Sequence, residues 1–446
     1  MAEPLFAFQN VGSHFLSDRR QAILADPMGL GKSAQVVVAM DILGVETGLI
    51  MAPAGFCYGW KREFKKFSDR KREIVMLFDG AKPRKYCINI ASYEGATRMH
   101  WEKLMTMDFD AMVPDEFHRL KNIEAQRTQA FYGFKGAPGL AHRAQHVWPL
   151  SGTPAPNNPF ELYLPARCLF PSSFKNSKGS VMNRFEFMNR YCTLKNNGFG
   201  NKITGGKNLA ELRERLAPHV LRRKKRDVLK DLPPLRQTEL YIDAHDELKN
   251  LQTTEELDMM LDLNRSLLAA DPEEKKLILN SIDDSVARRL RRLLGLAKVP
   301  ALTEWLLERF EDSNEKILIY GWHTEVLETI AHALRKVTKV AYVDGRVPPR
   351  KRTEQEELFQ NDPDCGAFVG QIIAAGEALT LTAASEILFA EYSWVPKDND
   401  QVIGRIERIG QKNSMLVRYA VVPDSLDETI AAVVTRKRSV TSQIFD

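Results

Sequence analysis

The sequence predicts an α/β protein with two tandem parallel-sheet lobes, helical protrusions and a ligand cleft. Three observations predict it. In the first half, short apolar runs bounded by turn residues alternate with helical stretches, the pattern of a parallel sheet with helical crossovers. The alternation breaks near residue 170 and resumes at Lys316 with a separate set of runs, so a second sheet carries its own core. A glycine-rich loop at a strand-to-helix turn occurs in the first half only. The 446 residues are enough for two or more domains.

The loop is Ala25-Asp26-Pro27-Met28-Gly29-Leu30-Gly31-Lys32-Ser33. Ala22 to Ala25 feed it as a strand. Ala34 to Leu43 leave it as a helix that stops at Gly44. Gly29 and Gly31 let the backbone of Met28, Leu30 and their neighbours curl round an anion at a helix N-terminus, where the helix dipole favours negative charge. Lys32 is placed to reach the β- and γ-phosphates of a nucleotide and the Ser33 hydroxyl to bind Mg²⁺. The full pattern G-x-x-x-x-G-K-[ST] fails at its first glycine, where Asp26 stands, so the match is G-x-G-K-S alone. The plain alternative is a glycine-rich turn with a surface lysine. Upstream, Gln9 follows Phe8 on a short helix, where its amide could read an adenine edge.

Further strands are expected at Gly48 to Ala52, Cys87 to Ser92, Phe109 to Val113 and Val147 to Leu150. In such sheets a ligand sits at the carboxyl ends of the strands. Asp115-Glu116-Phe117-His118 falls there. Two adjacent carboxylates make a poor core and a good metal site: Asp115 would hold Mg²⁺, and Glu116 would orient or deprotonate an attacking water. A solvated acidic turn is the bland reading. Ser151-Gly152-Thr153-Pro154 ends the next strand, where small hydroxyl residues could couple a nucleotide site to a neighbouring groove.

Residues 170 to 232 are rich in Asn, Phe and Arg, include a glycine-rich stretch from Gly198 to Gly206, and place Leu209, Leu212 and Leu216 at helical spacing. The run Arg222-Arg223-Lys224-Lys225-Arg226 follows. It reads either as a solvated face or as a phosphate contact led by Arg222, Arg223 and Lys224.

Leu235 to Asp243 reads as a strand and His245 to Leu296 as a charge-rich helical stretch. Arg288, Arg289, Arg291 and Arg292 would form a basic helix face suited to a DNA backbone, although any exposed helix gives the same string. The second sheet is expected from Ile317 to Tyr320, Val340 to Val343, Ala367 to Ile373, Glu386 to Ala390 and Leu416 to Val422. It has no phosphate loop, so a nucleotide held by the first lobe needs a partner group from the second. On a helix, Gln401, Arg405 and Arg408 would share one face at i, i+4 and i+7. Arg408 is the candidate arginine finger and Arg405 its neighbour on the γ-phosphate, a role for a planar fork that lysine cannot copy.

Composition is ordinary for a globular chain, with no apolar run of membrane-spanning length and no leader pattern, so an intracellular protein without membrane contact is expected. The five cysteines are scattered with no C-x-x-C pair, which argues for reduced thiols and against a zinc ribbon. A net charge of +5 permits a nucleic-acid partner without requiring one.

The strings ILADPMGLGKSAQ, LIMAPAGFCYGWKREFKKF, INIASYEGA, DEFHRLKN and LSGTPAPNNPFELY resemble, in order and spacing, the motifs of Swi/Snf-type ATPases of the superfamily-two helicase-like proteins. In the second half, KILIYGWHTEVLETIAHAL, VDGRVPPRKRTEQEELF and DNDQVIGRIERIGQKNS resemble the second-lobe motifs. RRLLGLAKVPALTEWLLERF and FAEYSW bring the chain nearer to the annealing and fork-remodelling DNA translocases. The resemblance implies tandem RecA-like lobes (1–169, then a protrusion and brace at 170–233, then 234–446) with an ATP cleft between them. It also implies ATP with Mg²⁺ and Gln9 as the adenine-reading glutamine. Tyr93 and the Pro53–Trp60 stretch would lie near the DNA track, and LRRKKRDVLKDLPP would brace the two lobes.

The implied partner is duplex, forked or branched DNA, met through its phosphates by a monomer. Competing readings are a nucleoprotein remodeller or RNA polymerase recycling motor, an RNA-dependent helicase, and a non-hydrolysing clamp. Pro27 stands where the family usually has Glu, Gly376-Glu377-Ala378-Leu379 where it has a glycine-rich string, and Gly404 and Glu407 where it has Asp and His. The loop ending at Thr380 is therefore the less secure part of the DNA track. The little sequence before Gln9 and after Gln411 suggests a bare motor of a bacterium or its virus, cytoplasmic there and nuclear if eukaryotic.

Overall fold

The computed structural model describes residues 2–244 and 284–427 except 79, 135, 156–157, 197–200, 376–378, 394–395, 424 and 426, with scattered positions between 245 and 283. Most of the expected helical stretch before Asp284, and the glycine-poor segment at Glu377, lie outside the described residues. The chain divides into two compact units, one running to Lys230 and the other beginning at Asp231.

The first unit is organised on a five-stranded, all-parallel sheet. β1 is Ile23–Leu24, β2 Gly48–Ala52, β3 Ile74–Met76, β4 Ile88–Ser92, β5 Phe109–Pro114 and β6 Ala144–Val147. The sheet order is β3-β4-β2-β5-β6. β2, β4 and β5 are buried almost throughout, without alternation, because both faces are covered. Successive side chains of β2 show why: Leu49 and Met51 join one apolar cluster, Ile50 and Ala52 the other. The segments around β1 and after β6 are joined by isolated bridges, Gln21 to Val147 and Leu24 to Leu150. The strand expected from Val147 to Leu150 ends instead at Val147. Pro149 has no N–H to donate, so beyond that point the ladder survives only as isolated bonds such as Leu150 N–H to the Pro114 carbonyl (3.0 Å). β3 was not expected: three residues behind a charged stretch leave no periodic signal.

Register brings the carboxyl ends together. Ala52 pairs with Ser92, and Met51 with Pro114. The segments that begin at Pro53, Tyr93 and Asp115 therefore leave the sheet side by side.

The region after residue 170 differs from the helical protrusion expected. It contains a hairpin of β7 (Cys192–Asn196) and β8 (Asn201–Gly206), antiparallel, beside the helix Arg184–Tyr191. That helix starts with a capping box: Asn183 Oδ1 accepts from the Phe185 and Glu186 N–H groups, and Glu186 accepts from Asn183 N–H at 2.8 Å. β9 (Val220–Leu221) then returns to pair in parallel with β1.

The second unit holds a six-stranded parallel sheet. β10 is Leu235–Tyr241, β11 Ile317–Gly321, β12 Lys339–Val343, β13 Cys365–Gln371, β14 Glu386–Phe389 and β15 Met415–Val421, in the order β10-β15-β14-β11-β13-β12. The helix Asp284–Asp312 packs on it through Leu290, Leu294, Ala297, Leu302 and Leu306. The basic run on this helix is not one uniform face. Arg291 turns inward, lies 4.8 Å above the Trp322 ring, and is pushed by burial down to about 10. Arg289 is exposed, and Arg292 is ion-paired with Glu325 across the surface. The side chain of Arg288 is outside the described residues. No helix among the described residues is long and apolar enough to cross a membrane.

Candidate nucleotide site

The phosphate loop is built on left-handed backbone. Gly29 has φ +87° and Gly31 φ +68°. A side chain at Gly31 is doubly excluded, because its Cβ would lie 2.3 Å from Gln9 Nε2. The helix Lys32–Leu43 begins immediately after and ends at Gly44, also left-handed at φ +66°. Lys32 Nζ donates to the Asp26 carbonyl at 2.9 Å, folding its ammonium over the loop.

Asp26, the residue that breaks the glycine pattern, is fully buried. Its carboxylate accepts from Arg223 N–H and Nε, both at 3.1 Å, and from Gln35 Nε2 at 3.3 Å. A glycine there would remove the anchor that ties the loop to the rest of the unit. In the sequence Asp26 stands out only as a mismatch to the glycine pattern. The available signal was a carboxylate inside an apolar strand end, which needs a partner cation.

Gln9 is buried, and both ends of its amide are engaged. Nε2 donates to the Leu30 carbonyl at 3.1 Å, and Oε1 accepts from Phe6 N–H at 3.0 Å. In this state it is fastened to the phosphate loop.

Asp115 and Glu116 stand at the end of β5, 6% and 5% exposed. Burial and then the Glu116 charge push Asp115 up to about 7, against the pull of Lys32 and of hydrogen bonds from the Trp60 indole and the Glu116 backbone. Trp60 Nε1 donates to Asp115 Oδ2 at 2.9 Å, and Glu116 N–H to Oδ1 at 2.9 Å. Glu116 has φ +53°, an uncommon conformation for a residue with a side chain. Its Oε2 lies 3.1 Å from His118 Nδ1 and 3.4 Å from Ser151 Oγ, which is itself 3.0 Å from His118 Nδ1. Ser151 Oγ also accepts from Thr153 N–H at 3.1 Å. The Ser-Gly-Thr turn therefore holds the carboxylate expected to handle water.

Several residues expected on or near the DNA track are turned inward here. Tyr93 is buried, and its hydroxyl donates to the Asp115 carbonyl at 2.7 Å, so it has no surface to offer a nucleic acid. Trp60, on the helix Cys57–Phe67, is likewise buried with its N–H committed to Asp115. Arg222 and Arg223 are also turned from solvent toward the phosphate loop, and only Lys224 of the three is exposed.

The Ser33 hydroxyl and the Asp115 carboxylate are hard oxygen donors of the kind that suits Mg²⁺.

In the second unit the arginine arrangement departs from the helix expected. The helix Pro396–Ile403 stops before Arg405. Gly404, which lowers helix propensity, still bonds to the Asp400 carbonyl, but the next two N–H groups tighten to Val402 and Ile403, three residues back. Gln401, Arg405 and Arg408 are therefore not one helical stripe. Arg405 Nε donates to the Gln401 carbonyl and Nη1 to the Leu379 carbonyl, both at 3.0 Å. Arg408 Nη1 donates to Thr380 Oγ1 at 3.0 Å. Thr380 N–H is held by Glu356 Oε1 at 2.7 Å. The residue expected to touch DNA thus supports Arg408.

Residues 8–284 match the SNF2-related domain, and residues 297–410 match the helicase conserved C-terminal domain. The chain is 31% identical to a Caenorhabditis elegans homolog of SWI/SNF-related matrix-associated actin-dependent regulator of chromatin subfamily A-like protein 1, over 100% of this chain and 62% of that protein. It is 27% identical to the Mus musculus DNA annealing helicase and endonuclease ZRANB3, over 99% of this chain and 41% of that protein. Among solved structures, the Sulfolobus solfataricus SWI2/SNF2 ATPase core in complex with dsDNA is similar at 22% identity and a TM-score of 0.46, covering 100% of this chain and 93% of that one. The chain spans less than two thirds of the length of these curated relatives.

Proposed function

The chain belongs to the SNF2-related family, and from that premise we propose that it is a DNA-dependent ATPase that translocates on duplex or branched DNA, driving fork regression, branch migration or limited unwinding. The observation that carries the chemistry is the pair Asp115 and Glu116, the latter left-handed, at the carboxyl end of β5, with the Lys32 charge near enough to pull on the Asp115 carboxyl. The substrate class rests on the family and on relatives named for DNA annealing.

In the proposed cycle the amides of Met28 to Ser33 and the Lys32 ammonium hold the nucleotide phosphates. Lys32 exchanges the Asp26 carbonyl for a phosphate oxygen to do so. Ser33 and Asp115 are the residues that would hold Mg²⁺, which would supply charge neutralisation for the transferring phosphoryl group. Glu116 orients the attacking water and takes its proton as the water oxygen bonds to phosphorus and ADP departs with the bond's electrons. His118 and Ser151 keep that carboxylate aimed. Gln9 releases Leu30 to read the base. Arg408, with Arg405 beside it and Gln401 behind, supplies the positive fork that stabilises the γ-phosphoryl in transfer. Lys224, Arg288 and Arg292 are left as the DNA-side candidates.

The test is ATPase activity with duplex, forked, four-way, single-stranded DNA and RNA. Stimulation by duplex or branched DNA, with affinity falling steeply in salt, is the expected result. Preference for RNA, or no hydrolysis with any of these, overturns the reading.

A further inference from the structure

Arg222 and Arg223 follow β9 directly, and Leu221 of β9 pairs with Leu24 of the strand that feeds the phosphate loop. This places two guanidinium groups against the loop's back. Arg223 reaches both carboxylate oxygens of Asp26, the Phe8 carbonyl and Gln35 Oε1 (2.7 Å), and lies 5.2 Å above the Phe8 ring. Its own N–H also donates to Asp26. Gln35 Nε2 closes the group by donating to the Leu30 carbonyl at 3.2 Å. A Cβ on Gly12 would sit 1.8 Å from Gln35 Oε1, so the helix Ala7–Ser17 presses its bare backbone on the same cluster.

Arg222 does something different. Its Nη1 donates to the Ala25 carbonyl at 3.1 Å and to the Gly152 carbonyl at 3.0 Å. One group therefore joins the strand entering the phosphate loop to the turn that holds Glu116. The two pieces are in close register: a Cβ on Gly152 would meet Met28 at 3.4 Å.

We propose that Arg222 and Arg223 form a two-armed clamp that sets the phosphate loop against the Ser151–Thr153 turn, making them positioning residues for nucleotide binding and hydrolysis instead of contacts to DNA phosphates. The proposal rests on the nucleotide-site reading above. Arg223 balances a buried carboxylate that would otherwise stand uncompensated. A lysine would keep the charge but lose the fork that serves Asp26, Gln35 and Phe8 together. Arg222 satisfies two carbonyls that belong to separate halves of the site.

The experiment uses the full chain and four variants: Arg222→Gln, Arg223→Lys, Arg223→Gln and the pair Asp26→Asn with Arg223→Gln. Three quantities are read: affinity for a fluorescent ATP analogue, affinity for labelled duplex DNA without nucleotide across a salt series, and the thermal midpoint of the ligand-free protein. Arg222→Gln and Arg223→Lys are expected to weaken nucleotide affinity about tenfold, with the salt slope of DNA binding and the thermal midpoint near those of the parent. The pair is expected to bind nucleotide better than Arg223→Gln alone, because it leaves no orphaned carboxylate.

A salt slope reduced by about one per arginine with nucleotide affinity intact identifies phosphate contacts and overturns the clamp. A fallen midpoint with nucleotide and DNA affinity lost in parallel in Arg222→Gln reduces the pair to general scaffolding and also overturns it. A parent that binds nucleotide while all four variants match it sinks the clamp alone. A parent that binds none sinks the nucleotide site and the clamp together.

Discussion

In the first unit Asp115 and Glu116 are held by side chains and by strained backbone: Trp60, His118 and Ser151 each place an atom on one of the two carboxylates, and Glu116 keeps φ +53°. In the second unit Arg405 and Arg408 rest on the Leu379 carbonyl and the Thr380 hydroxyl of one loop, beyond the end of a helix. The first arrangement is fixed before any ligand arrives, as a group that must aim a water requires. The second includes a carbonyl and a hydroxyl among its acceptors, bonds that an anion outcompetes, as a group that must change partners requires. The contrast makes the arginine turn the more sensitive element. Arg408→Ala should cost on the order of 10³ in DNA-stimulated turnover with nucleotide affinity nearly unchanged. Steady-state ATPase and analogue binding measured together decide it, and a variant turning over at the parent rate removes Arg408 from the site.

Glu116→Gln probes the fixed side of the contrast. The amide keeps the shape and an oxygen for Ser151 but cannot take a proton, so turnover should fall about 10²-fold while nucleotide remains bound. Single-turnover hydrolysis beside analogue binding separates these. Loss of binding in proportion to loss of turnover would mean that Glu116 builds the pocket and does no proton chemistry.

Gly31→Ala tests whether the loop is as rigid as its neighbours. A methyl group there faces a left-handed φ and the Gln9 amide at 2.3 Å. The conformational part alone is about 1–2 kcal/mol, so nucleotide affinity should weaken about thirtyfold with the fold retained. Parent-like affinity would show that Gln9 moves aside freely and that its bond to Leu30 is incidental.

The same contrast explains what could be read in the sequence. Fold class was legible because β2, β4, β5, β11, β13 and β14 are apolar on both faces and punctuated by turns. Lys32, Asp115 and Glu116 were legible because they are neighbours along the chain at a strand end. Trp60 and Arg223 were not. Each reaches the site from a distant segment, and the string GWKREFKKF or LRRKKR carries no mark of which residue turns inward. The arginine turn was half legible. Spacing of i, i+4 and i+7 suggested a helix face, and the residues do converge on one loop, but Gly404 and a tightened turn bring them there by another route. Pro149 is the converse case, since its missing N–H could have shortened the strand expected at Val147 to Leu150.

The smallest expected effect tests whether the fixed side is fixed by its outer partners. Trp60→Phe keeps most of the aromatic bulk between Cys57 and Phe64 and deletes only the N–H that reaches Asp115 Oδ2. A hydrogen bond of this kind contributes about 1 kcal/mol net. The Mg²⁺ concentration needed for half-maximal nucleotide binding should therefore rise about fivefold, with metal-free binding unchanged. Because the indole comes from a helix after β2 and the carboxylate from the end of β5, such a change would show that metal affinity is set by a residue 55 positions away in the chain. An unchanged Mg²⁺ requirement would mean that the Glu116 N–H and Lys32 suffice to hold Asp115, and that Trp60 is there only to fill the core.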